Sequence, residues 1–114
     1  MSIQHHEPSS LYSAAVQANG FLFVSGVTPK DLTQDVRGQT RQVLAEIDRR
    51  LALAGLDRSR VVSAMIWLSD IRDRGLINED WIAWSSDPRP ARACVEAKLA
   101  DPAMLVEIQV TAAT

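Results

Sequence analysis

Residues Ala14-Ala15-Val16-Gln17-Ala18-Asn19-Gly20-Phe21-Leu22-Phe23-Val24-Ser25 read as two short apolar strands on either side of an Asn-Gly pair. Asn-Gly supplies the two positive φ angles of a type I′ turn, whose twist matches that of the strands it joins, so the stretch predicts a tight antiparallel hairpin. Gly26 and Pro29 end the second strand. A hairpin here makes a sheet the frame of the domain, and the rest of the chain must supply what covers it.

Downstream, Val36, Val43, Ile47, Leu51 and Ala54 recur at helical spacing, predicting a helix over about Thr33 to Ala54 closed by a left-handed Gly55. Gly38 inside this pattern weakens the first turn. Arg60 to Ser69 is rich in β-branched and apolar residues, as a central strand buried on both faces would be. Asp73 is the expected N-cap of a second helix, with Leu76, Ile77, Trp81 and Trp84 as its buried stripe. Two more strands follow, Ala91 to Leu99 and Met104 to Ala112, joined by a turn through Asp101-Pro102. The order ββαβαββ predicts an α+β domain whose two helices cover one face of a mostly antiparallel sheet.

Alternation in the last two strands separates Met104, Val106, Ile108 and Val110 from Leu105, Glu107, Gln109 and Thr111, and Ala93, Val95 and Ala97 from Arg92, Cys94 and Glu96. The uncovered face is thereby expected to carry Arg92, Cys94, Glu96 and Glu107 beside Met65, Trp67 and Leu105. Such a mixture is neither a clean solvent face nor a clean core. Self-association would bury its apolar part and enclose the charges in clefts at the seams; a wet face with scattered apolar residues is the plain alternative.

With 114 residues, 46% hydrophobic and 23% charged, the chain has the size and composition of one globular domain spanning 1–114, with residues 1–11 expected to be flexible or loosely packed. A formal charge of −2 speaks against a nucleic-acid or anionic-membrane partner. A single cysteine, Cys94, excludes an internal disulfide and any multi-thiolate metal site. No signal-like or membrane-length apolar run is present, so a cytoplasmic setting is expected. His5-His6 lacks a carboxylate cluster beyond Glu7 and reads as terminus; Trp67, Trp81 and Trp84 read as core or interface anchors; no phosphate-loop pattern follows Ser25-Gly26.

Several blocks resemble one family. Tyr12-Ser13, Phe21 to Gly26 and Gln39 to Leu44 are similar to the N-terminal half of the Rid family, the YjgF-like reactive intermediate deaminases. Pro90 to Ala97 followed by Val106-Glu107-Ile108 resembles its C-terminal signature, and Asn78-Glu79-Asp80-Trp81 with Trp84 resembles one branch of it. The resemblance implies a chorismate-mutase-like homotrimer with three inter-subunit clefts, no cofactor and no metal. It also implies hydrolysis of 2-imino acids and enamines such as 2-aminoacrylate to 2-keto acids and ammonia. Arg92 then matches the arginine that grips the substrate carboxylate, a task suited to a bidentate guanidinium fork. Glu107 matches the carboxylate that positions water. Tyr12, Ser25, Gly26, Asn78 and Cys94 match substrate-binding positions, Cys94 through its backbone and Gly26 through close backbone approach. Arg74-Gly75 and the short stretch Ser85 to Arg89 depart from the usual pattern near the expected cleft mouth.

Each residue also has an ordinary role open to it. A strand arginine is usually solvated or ion-paired, a glutamate beside it is usually its partner, and a cysteine among apolar neighbours is usually core. Three functions follow from the sequence: an imine/enamine deaminase using Arg92 and Glu107, a non-catalytic 2-keto acid binding or regulatory protein of the same fold, and the ribonuclease or translation inhibitor for which some relatives are labelled. The acidic balance and the lack of paired catalytic histidines disfavour the third.

Overall fold

The structure is a computed structural model and describes residues 2–114. Six strands form one sheet in the order β1-β2-β3-β6-β4-β5. They are β1 (Gln4–Pro8), β2 (Ser13–Ala18), β3 (Phe21–Val24), β4 (Val61–Leu68), β5 (Ala91–Glu96) and β6 (Val106–Ala113). Helix α1 (Val36–Leu53) precedes β4, and α2 (Arg74–Trp84) carries the chain from β4 to β5. Only β4 and β5 pair in parallel, so the sheet is mostly antiparallel, as expected.

Local chemistry explains the elements. Asn19 and Gly20 take φ of 52° and 84°, the two left-handed angles the predicted turn requires. Asp35 caps α1 by accepting from Gly38 N at 2.8 Å, which moves the start of the helix to Val36. Beyond its C-cap, Gly55 adopts φ of 72°. A single-turn 3-10 segment, Ile71–Asp73, leads into α2, so Asp73 stands at the N-cap without a side-chain capping bond and Asp70 caps the preceding turn through Arg72 N.

The core lies between the sheet and both helices. Leu22, Val24, Ile66, Leu68, Val106, Ile108 and Val110 from the strands meet Val43, Ile47, Leu51, Ile77 and Trp81 from the helices, all buried. On the helix side of β6 and the end of β3, Gln39 is fully buried and satisfied, donating to Ala103 O at 3.0 Å and accepting from Leu105 N at 2.7 Å. That pair of bonds pins the connection between β5 and β6 against α1.

Five expectations are corrected. Residues within 1–11 form an added edge strand, β1, clipped to α1 by Glu7 and Arg49 at 2.8 Å. Strand β4 is buried on one face only: Val61, Ala64, Ile66 and Leu68 are covered, while Met65 and Trp67 are half-buried and Val62 is exposed. The last two strands, expected to be joined by a short turn through Asp101-Pro102, end at Glu96 and begin at Val106 and are not neighbours, because β4 lies between them and pairs with both. Leu76 is 47% exposed and lies off the buried stripe of α2. Finally, Arg92, Cys94 and Glu96 do not share a face with Glu107. Arg92 is beside Ala64, Cys94 beside Ile66 and Glu96 beside Leu68, which are the helix-facing residues of β4, whereas Glu107 lies opposite the outward Trp67.

Candidate functional site

The predicted residues fall into two groups. The first lies where β3 runs out beside β6. Val27 N donates to Ile108 O at 2.8 Å and Ile108 N to Val27 O at 3.1 Å, so the chain after β3 is held flush against β6. Gly26 is therefore pressed against Glu107, and a Cβ added to Gly26 would overlap Glu107 Oε2. The glycine's role here is to make room for a carboxylate of its own chain, rather than for a ligand alone. Ser25 Oγ donates to Ser13 O at 2.6 Å and Ser25 N to Ala14 O at 3.0 Å, fixing the entry to this turn.

A cavity of about 380 Å³ opens over this corner, with Tyr12, Ser25, Gly26 and Glu107 among its walls and Thr28, Ala100 and Met104 completing them. Four of the seven predicted site residues thus share one recess. Tyr12 is 59% exposed, so its ring stands at the rim. The Glu107 side chain makes no hydrogen bond among the described residues, and burial pushes its carboxyl above the ordinary value of 4.5. A carboxyl in that state accepts and returns a proton more readily near neutral pH than a solvated one. A larger cavity, about 530 Å³, lies beneath the 97–104 connection beside Ser69 and Lys98 and holds none of the predicted residues.

The second group sits between β5 and α2. Arg92 Nη1 donates to Asn78 Oδ1 at 2.8 Å, and the guanidinium lies 5.6 Å from the centre of the Trp81 ring. Asn78 and Trp81 are three residues apart on α2, hence on one helical face, and together they aim the arginine from below and beside. Arg92 forms no ion pair among the described residues, whereas Arg37, Arg41, Arg49, Arg50, Arg58 and Arg72 are all matched with carboxylates. Nε and Nη2 of Arg92 remain available to an anion. Burial pushes the Cys94 thiol up, with the charges of Arg92 and Arg74 opposing it, so the group stays a neutral thiol and is no nucleophile.

Asn78, expected to touch substrate, accepts from Arg92 through its side-chain carbonyl. Trp81, read from the sequence as an anchor, is also the floor beneath that guanidinium. The i, i+3 spacing of Asn78 and Trp81 was the available signal, but nothing in a single sequence pairs a helix face with a particular strand residue. Because Arg92 and Glu107 project from opposite faces of one sheet, a single protomer does not bring them to one ligand. Among the described residues no group of three or more His, Cys, Asp or Glu side chains is placed to hold a metal ion. No helix of the described residues is long and apolar enough to cross a membrane.

The fold and these two groups define a class: a small α+β protein with two helices on one face of a six-stranded sheet, presenting on opposite faces a half-buried glutamate and an arginine without an ion pair among the described residues. Comparison with known proteins places it within that class. The family model described as Endoribonuclease L-PSP matches residues 3–114, and the chain belongs to that family, the YjgF/RutC or Rid family. A RutC family protein of Haemophilus ducreyi is 39% identical over 103 residues, covering 90% of this chain and 88% of the relative. The RutC family protein YoaB of Escherichia coli K12 is 35% identical over 114 residues, covering 99% of each. Among solved structures, a YjgF family member from Neisseria meningitidis superposes with a TM-score of 0.94 at 45% identity, covering 100% of this chain and 96% of its own. A structure from Salmonella typhimurium described as a putative translation initiation inhibitor gives 0.89 at 35% identity, covering 99% and 98%.

Proposed function

We propose that the protein is an imine/enamine deaminase that hydrolyses 2-imino acids of the 2-aminoacrylate type to 2-keto acids and ammonia, without cofactor or metal. The observation that carries this reading is the half-buried Arg92, aimed by Asn78 and Trp81 and matched to no carboxylate among the described residues. An organic carboxylate fits its free Nε and Nη2 donors. The resemblance of the Arg92 and Glu107 segments to the family's signature adds to it.

Hydrolysis needs little machinery, since a protonated imine is already electrophilic. Water, oriented by Glu107, adds to the imine carbon while its proton passes to the carboxylate. The carbon–nitrogen double bond becomes a single bond, giving a carbinolamine. Glu107 then returns the proton to nitrogen, making it an ammonium leaving group; the hydroxyl proton passes to the freed Glu107 carboxylate as the carbonyl forms, the carbon–nitrogen bond breaks and ammonia leaves. Orientation and one proton shuttle account for the acceleration.

The same reading includes a homotrimer. Phe21, Phe23 and Val95 stand 41 to 47% exposed on the sheet face away from the helices, and a neighbouring copy covering that face buries them. Each cleft then combines the Arg92 group of one protomer with the Tyr12, Ser25, Gly26 and Glu107 group of the next. A cytoplasmic setting belongs to this reading as well. RNA cleavage is not favoured: His5 and His6 are adjacent on β1 and project to opposite faces, so they form no acid–base pair.

A second reading is a 2-keto acid binding or regulatory protein, favoured by the separation of Arg92 from Glu107 within one chain. The test follows imine loss during oxidation of amino acids by an amino-acid oxidase, with semicarbazide trapping the imine. Faster loss with the protein and none with Arg92→Ala supports the deaminase; ligand binding without acceleration for any imino acid leaves the binding protein.

A further inference from the structure

Helix α2 runs antiparallel to β5, and two bonds fix their alignment. Glu96 Oε1 accepts from Ile71 N at 3.2 Å at one end, and Arg92 donates to Asn78 at 2.8 Å at the other. Cys94 lies between Glu96 and Arg92 on the same face of β5. Arg74 lies between Ile71 and Asn78, one helical turn before Asn78 and on its side of α2. The alignment thus sets Arg74 opposite Cys94, and the charges of both Arg74 and Arg92 reach that thiol.

Arg74 is exposed and forms no ion pair or side-chain hydrogen bond among the described residues. Three acids near it are engaged elsewhere: Asp70 pairs with Arg72 at 2.7 Å, Asp80 with Arg37 and Arg41 at 3.1 Å, and Glu96 holds the Ile71 amide. Beside Arg74, Gly75 is exposed and a Cβ there would meet nothing within 4 Å, so this first turn of α2 is uncrowded. Arg74 and Asn78, the residue that holds Arg92, are about 6 Å apart along the helix rise, so two guanidinium groups outside any ion pair among the described residues sit beside the same stretch of β5. That spacing is comparable with the reach of a four- or five-carbon dicarboxylate.

We propose that Arg74 is a second anion-binding residue of the site and that its substrates are dicarboxylic 2-imino acids, with the 1-carboxylate on Arg92 and the distal carboxylate on Arg74. The proposal rests on the deaminase reading for the first carboxylate and adds the substrate class. Arg92, steadied by Asn78 and Trp81, sets the orientation. Arg74, on an exposed first turn, selects by charge, so the preference weakens as ionic strength rises.

The experiment measures binding of 2-oxoglutarate and of 2-oxopentanoate, equal in carbon number and different in the distal carboxylate, to the purified full-length protein by calorimetry. The wild type is expected to hold 2-oxoglutarate about five-fold more tightly, the upper range for an exposed ion pair. In Arg74→Met that ratio falls to about one; taken within each variant, it is insensitive to the fraction folded. A wild-type ratio of one, or a ratio that survives Arg74→Met, overturns the proposal while Arg92-dependent binding of both ligands keeps the deaminase reading intact. If neither acid binds, or both bind equally to Arg92→Ala, that reading falls and this one with it.

Discussion

Glu107 Oε2 occupies the space where any side chain at position 26 would begin, so the backbone of Gly26 and the carboxylate of Glu107 are in direct contact. A one-carbon addition must push the carboxylate aside. Gly26 has no positive φ, so alanine there is free of backbone strain and the effect is confined to the carboxylate. Gly26→Ala is expected to lower kcat for imine hydrolysis about a hundred-fold, the penalty for displacing a catalytic group by about an ångström, with a normal thermal transition. Steady-state kinetics alongside calorimetric melting checks both halves of that statement.

Arg92 uses one donor on Asn78 and keeps a fork for ligand, which an ammonium cannot reproduce. Arg92→Lys is therefore expected to behave almost like Arg92→Ala, each weakening 2-keto acid binding by roughly ten- to a hundred-fold. Titration calorimetry on the two variants decides it; near-wild-type affinity in the lysine variant contradicts a bidentate grip.

If the two halves of the cleft come from neighbouring copies, two inactive variants repair each other. Arg92→Ala and Glu107→Gln, each nearly inactive alone, are expected to recover about a quarter of wild-type activity when unfolded together in equal amounts and refolded, because one site in four pairs two intact halves. No recovery in refolded mixtures places both groups in one chain. Phe23→Glu, a charge on the uncovered face, is expected to yield folded monomers without activity, read by sedimentation.

Hydrogen bonds from Arg49 and then Arg50, set against burial, bring the Glu46 carboxyl down from 4.5 to about 2. Its folded value is depressed, so its contribution to stability is complete above pH 4.5 and disappears as pH falls toward 2. Glu46→Gln is expected to lower stability at pH 7 by about 1 kcal/mol, or about 4 °C in Tm, and to flatten the acid limb between those two values. Melting curves across that window provide the check.

Glu107 has the opposite sign. Burial raises its folded value, so relative to a neutral isostere it is disadvantaged once ionised and equal while protonated. Glu107→Gln is expected to melt higher than wild type at pH 7 and level with it below about 4.5, while turnover falls by a hundred-fold or more. Equal melting temperatures at both pH values would show that the carboxyl is solvated.

Much of the fold is legible in the sequence because its signals are local. Asn19-Gly20 demands its turn, Gly55 its left-handed stop, and the alternation of Val106, Ile108, Val110 and Ala112 marks one buried face of β6, each decided by residues within a few positions of one another. The family is legible too, since its blocks are short and ordered. β1 was not, because Gln4–Pro8 is polar and is held by pairing with β2 and by the Glu7–Arg49 contact rather than by its own pattern.

Sequence alone determined which residues of a strand travel together: Arg92 with Cys94 and Glu96, Glu107 with Gln109 and Thr111. It left open which way each set points, because a period of two is symmetric between the faces of a sheet. Tertiary structure decided that, by placing β4 between β5 and β6 and aligning Arg92 with the inward Ala64 but Glu107 with the outward Trp67. Hydrogen-bond register between strands distant in sequence, and not any property of Arg92 or Glu107 themselves, puts the two groups on opposite faces of the sheet.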